Sequence, residues 1–392
     1  LDTTIGVTKT GWGGKDSYSY SLNDFSPLFH DVFGNTYQRQ IEDFNNVQLQ
    51  QLLKVGDHTF IAGFDSFTGS LDFFYQDSGA NRIFFPGIID ITIPYKIVWK
   101  YEPPDRATSV YVRDYWRICP RLLVELGISG DFVSSSRAGF PDSISSTTAN
   151  PSVGLNYEID KSNTLRFAYQ GYVNGHSIIN ASIAPSEVAG FPSQVNADDG
   201  SKVKELGFAW ESQWNPKTFT VFRLQAHRID NPQYDVYSNT IDSRSERFEG
   251  SFTVNRLLTS SLGLSAGVAG KLVSLDAPPN TFLTGNFNEI DGAVALSYMH
   301  PSGWFASIKD TVVSQDLGGL SDKSLAQKQA AMGDPFNLVD ITVGKYFANK
   351  RGYASLGLTN IFNQHFYYQT EPVVLWGFFP DRAVVFSVGL YF

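Results

Sequence analysis

The sequence alternates between apolar and polar positions with a period of two. Near its end every second residue is apolar (Val384, Phe386, Val388, Leu390, Phe392), and Ser387, Gly389 and Tyr391 stand between them. Successive strand side chains point to opposite faces, so this stretch reads as a strand with one greasy face and one tolerant face. The pattern recurs upstream. Leu165, Phe167 and Tyr169 alternate with Arg166, Ala168 and Gln170; Leu206, Phe208 and Trp210 alternate with Glu205, Gly207, Ala209 and Glu211. Phe222, Leu224 and Ala226 oppose Arg223, Gln225 and His227, and Val339, Ile341 and Val343 oppose Asp340, Thr342 and Gly344. In these strands the charges share a face with small and polar residues. A charge facing lipid at mid-depth costs about 2 to 4 kcal/mol, so the charged face is expected to line a wet lumen.

Turn residues divide the alternation into hairpins. A first strand is expected over 2–12, followed by a loop over 13–35, then strands over 37–55 and 58–75 joined at Gly56 and Asp57. A long connection over 76–106 contains Pro86, Pro94, Pro103 and Pro104. Strand pairs then follow at 107–118 and 121–134 (turn at Cys119 and Pro120), 146–159 and 164–173, and, after a loop over 174–200, 202–214 and 218–229. Further pairs fall at 244–257 and 262–275, 288–299 and 304–314, and 337–347 and 353–362, before the closing strand. This makes about sixteen strands of the length that a tilted barrel wall requires. Short turns alternate strictly with long loops, so all turns gather at one end of the barrel and all loops at the other. An even strand count puts both termini at the short-turn end. The predicted fold is therefore all-β: a single domain over 1–392 forming a closed antiparallel up-and-down transmembrane β-barrel. One segment departs from the strand pattern, Ser324 to Met332, whose Ala, Gln, Leu and Lys content suits a two-turn helix.

Composition narrows the class. Aromatic residues make up 15%, with 31 Phe, 19 Tyr and 7 Trp against 2 Met, a balance that suits strands and interfacial girdles. Mean hydropathy is -0.16, and no apolar run approaches the roughly 18 residues of a spanning helix. A net charge of -9 argues against nucleic acid as a partner. The lone Cys119 excludes an internal disulfide framework or a multi-cysteine metal site. The sequence opens at Leu1 without a basic and apolar signal segment, so a mature or excised form is expected.

The closing strand, ending on the aromatic Phe392, resembles the C-terminal strand of bacterial outer-membrane β-barrels, where the final aromatic serves as an assembly signal. Several stretches are similar to the barrel of TonB-dependent receptors: GDHTFIAGFD from Gly56, VYVRDYW from Val110, LLVELGISGD from Leu122, NTLRFAY from Asn163, and TNIFNQHFY from Thr359. The resemblance implies a Gram-negative outer membrane, with outer-membrane lipid around the wall and periplasmic or inner-membrane transport partners. The sequence departs from that family in showing neither an N-terminal plug nor an energy-coupling box. It also has about six strands fewer than the family's twenty-two.

A wall of this size leaves an aqueous channel, and charge rings set selectivity in such channels. The candidate lumen residues are Arg113, Glu125, Arg166, Glu205, Glu211, Arg223, His227, Arg247, Glu249, Lys271, Asp291, Lys309 and Asp340. The expected function is an outer-membrane transport channel, first as an export or secretion pore for a hydrophilic polymer or substrate. A TonB-dependent importer lacking its plug and a diffusion porin are the alternatives. No metal, phosphate-binding or nucleophile motif is present, and the six histidines (His30, His58, His176, His227, His300, His365) are scattered. Neither catalysis nor a cofactor is expected.

Overall fold

The computed structural model describes residues 2–26, 29–85, 89–101, 104–136, 143–174, 184–193, 195, 197, 200–234, 240–276, 286–317, 335–347, 351–364, 368–369, 376–377 and 382–390. Every regular element among them is a strand. In chain order these are β1 (Asp2–Ser26), β2 (Phe29–Val55), β3 (His58–Phe85), β4 (Ile89–Tyr101), β5 (Pro104–Cys119), β6 (Leu122–Ser136) and β7 (Ser143–Asp160). Next come β8 (Asn163–Val173), the two-residue β9 (Glu187–Val188) and β10 (Phe191–Pro192), then β11 (Lys202–Asn215), β12 (Thr218–Tyr234), β13 (Thr240–Leu257) and β14 (Leu262–Asp276). The last are β15 (Phe287–Met299), β16 (Trp304–Leu317), β17 (Phe336–Tyr346), β18 (Gly352–Thr359), β19 (Tyr368–Gln369), β20 (Trp376–Gly377) and β21 (Ala383–Leu390).

Seventeen strands form one sheet in which every ladder is antiparallel. The wall runs β1, β2, β3, β5 to β8, β11 to β18 and β21, each bonded to the next, so sixteen strands build the barrel. Strand pairs appear at each of the expected hairpins from β2–β3 to β17–β18, and the turn expected at 348–350 lies outside the described residues. Gly56 adopts φ 59° between β2 and β3, and Gly303 adopts φ 89° between β15 and β16, both in the left-handed region that glycine enters without strain. Cys119 is exposed at its turn. Among the described residues β21 and β1 share no ladder. In hydrocarbon, two unpaired edges would strand backbone groups at a cost of several kcal/mol each, so physics requires the wall to close at this seam.

The outer face is apolar and bare. Phe167, Leu206, Phe208, Phe248, Val268, Val294 and Ile308 are all exposed, as the alternation predicts. Near the short turns stand Trp116, Tyr157, Trp214, Tyr298 and Trp304, an aromatic girdle at one membrane boundary. Among the described residues, Asp114 and Asp310 are carboxylates set between apolar residues of the outer face. Asp114 shares its face with Val110, Val112 and Trp116, and is hydrogen-bonded to His58, whose Nδ1 lies 2.7 Å away. Asp310 lies between the exposed Ile308 and Val312, beside Val294 and Val339, and among the described residues no hydrogen bond or ion pair reaches it.

Where rings lie on the inner face, glycine makes room for them. A Cβ on Gly63 would meet the Tyr111 ring at 2.3 Å, one on Gly344 the Phe305 ring at 2.3 Å, and one on Gly389 the Tyr353 ring at 2.4 Å. These cross-strand pairs lay the ring flat against the wall and cover backbone that glycine leaves open.

Two expected loops are strands instead. Residues 13–26 continue β1 and pair with β2 as far as Ser26 and Phe29, and 76–85 continue β3 and pair with β4. The 27 residues of β2 span roughly 90 Å at about 3.3 Å per residue, far more than the 9 to 11 residues a membrane crossing needs. The long-loop end of β1 to β4 is therefore a sheet rising above the rim. Polar residues over 13–35 and prolines over 76–106 suggested loops there, but the Ile-rich run of β4 (IDITIPYKIVWKY) and the aromatics at the top of β3 favour pairing. Pro94 is accommodated because, among the described residues, β4 is bonded along one edge only. The helix expected at 324–332 and the terminal Phe392 lie outside the described residues.

Candidate functional site

On the inner face of β5 to β12 the sequence places small side chains in adjacent strands: Gly154 on β7, Ala168 on β8, and Gly207 and Ala209 on β11. Register aligns Gly154, Ala168 and Gly207 in one row across the wall. Residues 187–192, which follow β8, occupy this hollow. Their β9 and β10 pair as a minimal hairpin whose turn, Ala189 and Gly190, has φ values of 48° and 83°. Val188, Ala189 and Phe191 point to the wall and are almost fully buried with Ala168 and Ala209. Glu187 and Pro192 remain exposed to the lumen.

The fit is close. A Cβ on Gly207 would lie 2.5 Å from the Phe191 ring, and one on Gly154 would lie 2.9 Å from Val188 Cγ1. Burying a Val or Phe side chain contributes roughly 1.5 to 3 kcal/mol, so the two anchors alone hold the hairpin firmly.

Polar wall residues take the hairpin's backbone groups. The Ala189 N–H donates to Glu125 Oε2 at 3.1 Å, and the Arg113 guanidinium donates to the Glu187 carbonyl. Gln170 Nε2 donates to the carbonyls of Phe191 (3.3 Å) and Pro192 (3.1 Å), while Ser193 Oγ donates to Gln170 Oε1 at 2.6 Å. The fasteners are themselves held. Asn156 donates to Glu125 Oε1 at 3.0 Å, and Gln170 and Gln225 donate to the two Glu205 oxygens at 2.8 and 2.9 Å. Such bonds contribute about 1 kcal/mol each when made and cost more when one partner is left buried and alone.

The thirteen candidate lumen residues do not converge on one site. Arg113, Glu125 and Glu205 fasten the hairpin or the residues that hold it. Arg166 makes a two-pronged pair with Glu211, Nε to Oε1 at 3.0 Å and Nη2 to Oε2 at 3.3 Å, and also donates to Asn156. Arg223 lies over the Phe191 ring, 5.1 Å from its centroid.

His227 and Arg247 are buried behind Glu205, with His227 Nε2 3.7 Å from a Glu205 oxygen and Arg247 Nη1 3.8 Å from Glu249. Glu249, Lys271 and Asp291 line, together with Arg223, Gln225 and Glu289, an open cavity of about 320 Å³. Lys309 and Asp340 sit opposite each other on β16 and β17 elsewhere on the wall, where Asp340 accepts the Asn360 N–H at 2.9 Å.

Reading the sequence missed the hairpin and its neutral fasteners Gln170, Asn156 and Gln225. The signal was a run of small residues on the charged face of neighbouring strands, opposite a loop carrying Val188 and Phe191. Of the six histidines, His58 is hydrogen-bonded to Asp114 on the outer wall, His300 is hydrogen-bonded to Ser302 in a turn, and His176 and His365 lie outside the described residues. Among the described residues no group of three or more His, Cys, Asp or Glu side chains is arranged to hold a metal ion.

No family model matches this sequence, and no curated protein does. Solved structures do match in fold. The siderophore receptor PiuA from Acinetobacter baumannii superposes with a TM-score of 0.63 at 11% identity, over 99% of this chain and 62% of that one. The unliganded ferric citrate transporter FecA gives 0.59 at 12% identity over 98% and 59%. The copper transporter OprC gives 0.55 at 13% identity over 98% and 66%. The chain spans about three fifths of the length of these structures. The likeness is one of fold, and it agrees with the resemblance to the barrel of TonB-dependent receptors.

Proposed function

We propose that the chain forms an outer-membrane transport channel whose water-filled lumen passes hydrophilic substrate. The observation carrying this reading is the division of faces: bare Phe, Leu, Val and Ile outside, and charged and amide side chains inside. A wall of sixteen strands is too wide for side chains to fill. The short-turn end with its aromatic girdle faces the periplasm in this reading, and transport partners in the periplasm or inner membrane engage there.

For direction we propose uptake, the reading that goes with a receptor-like wall. That likeness supports inward traffic more than the export pore that sequence reasoning places first. The activity is transport and not chemistry, and selectivity arises from the lumen charges left outside the hairpin's network, above all Arg223, Glu249, Lys271 and Asp291.

Planar-bilayer recording of the purified chain tests the channel, with steady ohmic steps as the expected result and silence as the contrary one. Vesicles carrying the protein in one orientation test direction. Faster entry of a small hydrophilic solute from the long-loop side supports uptake, and passage favoured from the short-turn side supports export.

A further inference from the structure

The hairpin at 187–192 reads first as a loop that happens to rest inside a wide barrel. Three features set it apart from a loose loop. Its seat consists of side chains the wall does not have, since Gly154 and Gly207 occupy positions where a single Cβ would collide with Val188 or Phe191. Val188, Ala189 and Phe191 face the wall, and Glu187 and Pro192 face the water. Glu125 and Gln170, on different strands, are both buried and both spend hydrogen bonds on its backbone.

We infer that this hairpin is a built-in constriction: a second layer seated on the inner wall that narrows the lumen and brings Glu187 and Arg223 to the edge of the remaining passage. The inference rests on the transport reading above and adds to it the element that sets the width of the path. A sheet layer is about 10 Å thick, so seating one on the wall removes a large share of the open section. The charges at the narrowed edge are mixed, Glu187 and Arg223 beside Glu249 and Lys271, so the passage suits a solute carrying both signs or many hydroxyls rather than a strongly charged anion.

The test fills the seat while leaving the barrel intact. Gly207→Leu and, separately, Gly154→Leu place a side chain where the hairpin packs, and Phe191→Ala removes the anchor instead, so a folding failure in one variant leaves the others readable. Each is made in a Cys119→Ser, Val188→Cys background, and barrel assembly is followed by heat-modifiable gel migration. Two quantities are read: the rate at which a water-soluble maleimide labels Val188→Cys, and single-channel conductance in planar bilayers.

Seated hairpins protect the thiol, so filling the seat should speed labelling by about tenfold or more. Conductance should rise by about twofold as the path widens. Unchanged labelling in all assembled variants overturns the seat, and faster labelling with unchanged conductance overturns the constriction while the channel stands. Absence of current in parent and variants alike overturns both the constriction and the transport reading.

Discussion

At the scale of single residues, the wall obeys its two-faced rule closely enough that an exception carries information. Asp310 stands among lipid-facing aliphatics with no cation within reach among the described residues, whereas Asp114 on the same face has His58. A basic residue at the bilayer midplane costs about 2 to 4 kcal/mol and an acidic one less. Asp310→Leu is therefore expected to raise the denaturant stability of the lipid-embedded barrel by roughly 1 to 2 kcal/mol. Urea unfolding in lipid vesicles measures it, and a loss of stability would mean that Asp310 meets a partner in the membrane.

Asp160 shows the opposite situation, in water at a short turn. Hydrogen bonds from the Ser162 N–H and the Asn163 side chain hold its carboxyl below the usual aspartate range. A group with a lowered folded-state pKa lends its stabilisation above the unfolded value and loses it as pH falls through the folded one. Exchange of the Ser162 amide should then stay slow from neutral pH to below about 4, the ordinary aspartate value, and quicken only under stronger acid. Loosening already at mildly acidic pH would contradict this.

At the scale of elements, strands within the membrane were legible and strands above it were not. In the wall, one face meets lipid and the other water, so Leu206, Phe208 and Trp210 separate cleanly from Glu205, Gly207 and Glu211. Above the rim both faces of a strand meet water, the period-two signal fades, and 13–26 and 76–85 read as loops although they pair in full ladders. The inward hairpin was illegible for a related reason, since four residues are too few to show a period and its seat is written as absent side chains. The rim ladder and the wall are consecutive parts of the same strands, but the wall pairing of β1 with β2 extends through Asp2 and Leu52 without it. Replacing 13–41 with a tight turn, which joins Trp12 to its ladder partner Glu42, should leave a barrel that assembles and resists heat on a gel. A protein that no longer assembles would show that the rim sheet guides pairing of the first hairpin.

At the scale of the whole molecule, the lumen charges differ in how far protein partners take up their hydrogen bonds. Arg166 with Glu211, and Glu125 with Asn156 and Ala189, are satisfied by protein partners, so they shape the wall more than they select ions. Arg223 differs, standing over Phe191 at the border of the 320 Å³ cavity. Arg223→Ala should assemble normally and shift reversal potentials toward cations in a salt gradient, because one positive charge leaves the edge of the path. An unaltered reversal potential would place the ion path on another side of the lumen.

The hollow beneath Val188 and Phe191 has a genetic corollary. Because it is defined by atoms that are missing, it tolerates deletions poorly detected by eye and fails through gains: any enlargement at Gly154 or Gly207 evicts its occupant, whereas losing one of several polar tethers leaves the rest in place. Variation under selection for a wider opening should therefore accumulate as bulkier substitutions at two glycines on the barrel wall, far in sequence from the loop whose position they control.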